Sequence, residues 1–123
     1  MEDAGGTNRQ TYRGSCHCGR VKFEVDAELD HVRVCDCSIC RRRGALLHRV
    51  EPNQLRILTP LEELLTYTFN THTARDYFCP TCGILPFRRP RTAPGTWSIN
   101  VRCLEGVDLD AIPIKRVYGS RLT

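Results

Sequence analysis

Seven of the eight cysteines in this 123-residue chain stand in three tight groups: Cys16 with Cys18, then Cys35, Cys37 and Cys40, then Cys79 with Cys82. Cysteines two apart are badly placed to form a disulfide with each other. In extended backbone, however, positions i and i+2 face the same side, so both sulfurs of a C-x-C reach one ion. Without an apolar secretory segment at the N-terminus, so many cysteines point to metal rather than to disulfides.

Cys79-Pro80-Thr81-Cys82-Gly83 has the chemistry of a zinc knuckle. Proline starts a tight turn, and glycine accepts the left-handed backbone that aims amide N–H groups at thiolate sulfur. A redox dithiol is the competing reading of a C-x-x-C. The knuckle supplies two of the four ligands a structural zinc takes, and its partner is either Cys16 with Cys18 or part of the central group. The first pairing is the economical one, because it leaves Cys35, Cys37 and Cys40 intact. A four-thiolate site of Cys16, Cys18, Cys79 and Cys82 would staple the first strand to a distant hairpin, as a small core needs.

The remaining C-x-C-x-x-C of Cys35, Cys37 and Cys40 then offers three thiolates. Three protein ligands and an open position make a catalytic zinc site, or a labile one, whereas a fourth ligand from His17, His48, His72 or Asp36 would make it structural. His48 is the best non-cysteine candidate to face this site. His17, between two ligands, and His72, in a polar turn, are expected to face solvent. Arg41, Arg42 and Arg43 follow Cys40 directly and are either a solvated face or contacts for an anionic substrate. Cys103 reads as a small buried hydrophobe.

The elements that must position these residues are strands. Val21, Phe23 and Val25 alternate with Lys22 and Glu24, and further strands are expected over residues 31–34, 45–50, 55–58, 65–69 and 75–78. Trp97, Ile99, Val101 and Cys103 alternate with Ser98, Asn100 and Arg102, the clearest period of two. Residues 86–95 read as a proline- and arginine-rich loop. One helical turn over residues 61–65 is conceivable, but no segment sustains a helical period, so the fold expected is mainly β and antiparallel.

The length suits one domain, read as residues 11–123 behind a disordered tail of residues 1–10. The formal charge of +4 is too mild for a dedicated nucleic-acid binder, and no apolar run is long enough to span a membrane. A soluble, cytoplasmic protein is expected.

The order of motifs, Tyr12-Arg13-Gly14-Ser15-Cys16-His17-Cys18-Gly19, Cys35-Asp36-Cys37-Ser38-Ile39-Cys40-Arg41, Tyr77-Phe78-Cys79-Pro80-Thr81-Cys82-Gly83 and Ser98-Ile99-Asn100-Val101-Arg102-Cys103-Leu104, resembles the glutathione-dependent formaldehyde-activating enzyme family, which includes centromere protein V-like proteins. The resemblance implies a Mss4-like β fold stapled by zinc. It implies two Zn2+ ions, a structural one on Cys16, Cys18, Cys79 and Cys82 and a catalytic one on Cys35, Cys37 and Cys40. It also implies a carbon–sulfur lyase activity that condenses formaldehyde with glutathione to S-(hydroxymethyl)glutathione. Two other readings stand beside it: a non-enzymatic zinc module that binds a partner, and a methionine sulfoxide reductase using Cys103.

Overall fold

The alternation around Phe23 is realised as a strand in the computed structural model, which describes residues 9–122. In chain order the strands are β1 Gln10–Ser15, β2 Lys22–Ala27, β3 Val32–Cys35, β4 Leu47–Val50, β5 Leu55–Ile57, β6 Leu65–Tyr67, β7 Arg75–Phe78, β8 Phe87–Arg89, β9 Trp97–Asn100 and β10 Ile114–Val117. A short helix, α1 Ser38–Arg43, lies between β3 and β4. No helix among the described residues is long and apolar enough to cross a membrane.

Strands β1, β2 and β5 form one antiparallel sheet. The other seven form a second sheet in the order β10-β3-β4-β9-β8-β7-β6, antiparallel except where β10 runs parallel to β3. In β2, Phe23, Val25 and Ala27 are buried while Lys22 is exposed, so the smaller sheet turns one apolar face inward. Phe23 meets the larger sheet edge-on at Phe87, with centroids 5.6 Å apart, and Phe87 meets Trp97 in the same way at 5.4 Å. This contact is the centre of the core, and edge-to-face rings add a geometric preference to their burial. Gly14, opposite Phe23 in the β1–β2 ladder, lies beneath that ring: a Cβ there would fall 2.2 Å from Phe23 Cζ.

The result is the mainly β, Mss4-like arrangement, with local departures from the sequence expectation. The segment read as a loop over residues 86–95 contains β8. Its arginines fit a strand because each has a place: Arg88 pairs with Asp76, and the Arg89 guanidinium lies 3.8 Å from the Trp97 ring centre. The alternation from Trp97 stops at Asn100, whose Oδ1 accepts from the Arg102 amide at 3.1 Å and starts a 3-10 turn. All four residues of β9 are buried, since this central strand is covered on both faces. The tail expected over residues 1–10 lies outside the described residues except for Arg9 and Gln10, and Gln10 opens β1.

Candidate metal centres and the adjoining pocket

Two hairpin tips carry the first cysteine group. Residues 16–19 form a turn rather than the extended backbone expected of C-x-C, and the turn repeats the bonding of the knuckle. Gly19 (φ 84°) donates its N–H to the Cys16 carbonyl at 3.3 Å, and Val21 donates to Cys16 Sγ at 3.3 Å. Gly83 (φ 80°) donates to the Cys79 carbonyl at 2.9 Å, and Thr81 donates to Cys79 Sγ at 3.4 Å. Both turns need left-handed backbone, which glycine adopts without a Cβ clash.

The two tips bring Cys16, Cys18, Cys79 and Cys82 together, with all four sulfurs within 4.8 Å of one another. Cys18 Sγ lies 3.6 Å from both Cys16 Sγ and Cys79 Sγ. Four sulfurs about 2.3 Å from a central zinc would be about 3.8 Å apart, so this donor set fits the ion. Burial raises the Cys82 thiol, but amide hydrogen bonds from Cys18 and Ile84 outweigh it and bring the pKa down to about 6. The Arg20 amide pulls Cys18 the other way from its neighbours, yet burial and the adjoining sulfurs leave it at about 11.

Cys35, Cys37 and Cys40 are positioned by the end of β3 and by α1. Cys35 is the last residue of β3, and Cys37 caps the helix, its Sγ accepting from the Cys40 amide at 3.5 Å. One helical turn brings Cys40 back over Cys37, and Gly44 (φ 70°) ends the helix by donating to the Cys40 carbonyl at 2.9 Å. The three sulfurs lie within 4.8 Å of one another, and among the described residues no fourth cysteine, histidine or carboxylate joins them. Burial raises the Cys40 thiol strongly, against the pull of the Arg88 charge. Burial also opposes ionisation of Cys37, but the Cys40 and Ile39 amides and the neighbouring thiols outweigh it and lower its pKa. Soft thiolate donors in this number also suit zinc.

A cavity of about 120 Å³ opens beside Cys35 and Cys37. Four arginines line it, Arg33, Arg49, Arg88 and Arg91, and no carboxylate does. Arg41, Arg42 and Arg43, read as either a solvated face or contacts for an anionic substrate, are not among the lining residues. Arg41 is exposed, Arg42 donates to the Ser38 carbonyl at 2.8 Å, and Arg43 donates to the fully buried Asp76 at 3.0 Å. Helix geometry turns them away from the cavity: α1 presents Ser38 to it and sends its last turn elsewhere. A wider depression of about 540 Å³ lies near Cys16 and Cys103, but it holds none of the three-cysteine group.

His48 is also placed differently. Leu47 and Arg49 of β4 face the cavity, so His48 faces the opposite side, where its Nδ1 donates to the His31 carbonyl at 2.9 Å. There it approaches Asp30 and His31, with the two imidazole centres 5.2 Å apart. The other proposed fourth ligands are engaged or distant. Asp36 accepts from the Ser120 amide and hydroxyl at 3.0 and 2.8 Å, His72 bonds Thr68 Oγ1 at 2.8 Å, and His17 is exposed. Arg88 and Arg91 belong to the arginine-rich segment that stands out in the sequence, whereas Arg33 and Arg49 stand singly on β3 and β4, and only strand pairing brings them to the same cavity.

Cys103 is half-buried, and its Sγ donates to the Leu85 carbonyl at 3.9 Å. Burial, with the Cys16 and Cys82 charges, pushes its thiol up to about 12. A nucleophilic cysteine needs the reverse, a lowered pKa.

The model of the family described as glutathione-dependent formaldehyde-activating enzyme matches residues 11–121. A crystal structure of a Rhodobacter sphaeroides protein superposes with a TM-score of 0.76 at 40% identity, covering 84% of this chain and 99% of that one. With ordered cysteine groups assembled into two clusters and a family match over almost the whole length, this chain belongs to the glutathione-dependent formaldehyde-activating enzyme family.

Proposed function

We propose that the protein is a zinc-dependent enzyme of the carbon–sulfur lyase type, acting on the adduct of a small thiol with an aldehyde, with glutathione and formaldehyde as the reference pair. The observation that carries this reading is the three-sulfur group with no fourth protein ligand among the described residues, opening on a cavity. Two zinc ions are proposed, a structural one on Cys16, Cys18, Cys79 and Cys82 and a catalytic one on Cys35, Cys37 and Cys40. Zinc held by the three-cysteine group would supply stabilisation of the substrate's thiolate.

The chain's own residues supply the rest. Amide N–H groups of Cys37 and Cys40 donate to Cys35 and Cys37 sulfur at 3.5 Å and hold the thiolates in place. Leu47, Phe69 and Val117 give the cavity part of an apolar lining, and an apolar lining that excludes water strengthens electrostatic contacts. In the overall reaction the thiol sulfur bonds the carbonyl carbon, and the thiol proton ends on the carbonyl oxygen. The free cysteines fit a reducing compartment, so a cytoplasmic location is proposed. A partner-binding zinc module would be favoured by a filled fourth position or by the absence of a pocket; among the described residues no fourth ligand joins the three sulfurs, and a cavity opens beside them, which supports the enzyme reading.

The test is Cys37→Ser, followed by NMR of S-(hydroxymethyl)glutathione formation from glutathione and formaldehyde. The variant is expected to fold, to lose about one zinc per chain by metal analysis and to fall to the uncatalysed rate. An active, folded variant that keeps both metals would contradict the assignment.

A further inference from the structure

The side-chain nitrogen Arg49 Nε is buried without a hydrogen-bond partner, the one such side-chain atom among the described residues. Arg49 lines the cavity beside Cys35 and Cys37. Its setting follows from strand register. Arg33 and Cys35 are two apart on β3, Arg33 pairs with Leu47 on β4, and Arg49 lies two beyond Leu47, so all four residues share one face of the sheet. Arg49 is opposite Ser98 on β9, and Ser98 is opposite Arg88 on β8. A row of cations thus leads away from the sulfur group.

Among the described residues, only Arg88 in that row has a carboxylate. Asp76, fully buried, takes Arg88 on one oxygen and Arg43 on the other, leaving nothing for Arg33 or Arg49. Burial and the nearby Arg33 and Arg88 charges disfavour the charged form of Arg49. Guanidinium nevertheless stays protonated in proteins, so this nitrogen bears a desolvation cost that a bound anion would relieve. A planar fork of donors matches a carboxylate bidentately, as it does the bulkier phosphate. The cavity, at about 120 Å³, is well under the roughly 300–1,000 Å³ of sites that enclose a drug-sized ligand. Its wall between the arginines and Cys35 includes Leu47 and Val117, which suit a short aliphatic spacer.

We infer that the cavity is a carboxylate subsite built by Arg49 and Arg33, and that the thiol substrate is a compact thiol acid whose carboxylate is a few bonds from its sulfur. The carboxylate part stands on the cavity alone, whereas the thiol part rests on the function proposed above. A tripeptide thiol would place at most one of its arms in this space.

Calorimetric titration of the zinc-loaded protein with 3-mercaptopropionate, 2-mercaptoethanol and propionate separates the two parts. The thiol acid is expected to bind about 10- to 100-fold more tightly than 2-mercaptoethanol, the range of a charge-assisted hydrogen-bond pair. Arg49→Gln should remove that preference with zinc content unchanged, Arg49→Lys should restore part of it, and Arg42→Ala, on the exposed side of α1, should keep it. Arg33→Gln provides a second variant should Arg49→Gln fold poorly. A preference that survives both Arg49→Gln and Arg33→Gln overturns the subsite. Propionate binding that is lost in Arg49→Gln, with no added affinity from the thiol, upholds the carboxylate subsite and overturns the thiol reading.

Discussion

Arg43 and Arg49 are the same residue type close together in the chain, yet one closes a buried ion pair and the other lines a cavity with an unpartnered nitrogen. Residue type and spacing revealed the cysteines because chelation constrains spacing directly: a turn of fixed length must bring two sulfurs to one ion. Arginine carries no such constraint, so the conspicuous run after Cys40 drew attention from residues that only strand pairing brings together. His48 illustrates the same limit, since one position along a strand exchanges the cavity for the opposite face. There burial lowers its pKa below the ordinary 6.5, partly opposed by its bond to the His31 carbonyl. The folded state then favours neutral imidazole while the unfolded chain binds the proton, so stability is full above about pH 6.5 and declines as the pH falls through the lower folded value. His48→Gln is expected to flatten that decline, measured as melting temperature against pH between about 7 and 5.

Among the elements, those with one apolar face were legible and those without one were not. β2 alternates and was readable; β10 is mostly exposed along its length and exists through parallel pairing with β3, so no hydrophobic period announces it. α1 is too short for a period and is defined by its ends, the Cys37 cap and Gly44. β8 carries arginines between two prolines and depends on Asp76. That carboxylate, on β7, joins α1 through Arg43 to β8 through Arg88, and it is wholly buried. Asp76→Ala would leave two cations without a counter-charge, and the expected cost is about 3–5 kcal/mol by denaturant unfolding. A loss near zero would mean that the two arginines find solvent or other partners on their own.

The whole molecule is two sheets with the four-cysteine group between the β1–β2 and β7–β8 hairpins and the three-cysteine group at the end of β3, and the parallel strand β10 gives the second group its wall. Gly119, just beyond β10, is buried against Cys35 and Cys37: an added Cβ would lie 2.7 Å from Cys35 Sγ and 3.2 Å from Cys37 Cβ. Gly119→Ala is therefore expected to loosen metal at the three-cysteine group and leave the four-cysteine group loaded. Zinc release to a chromophoric chelator would show one labile ion per chain where the parent shows two retained, and equal retention in both proteins would refute it. The topology also imposes a schedule on biosynthesis. All four cysteines of the four-cysteine group have been made once Cys82 is added, whereas the segment that walls the other three sulfurs follows only after residue 113. A chain that ends before residue 114 thus contains every cysteine of both groups but lacks the strand that walls the three-cysteine group, so until β10 docks that group lies open on this side.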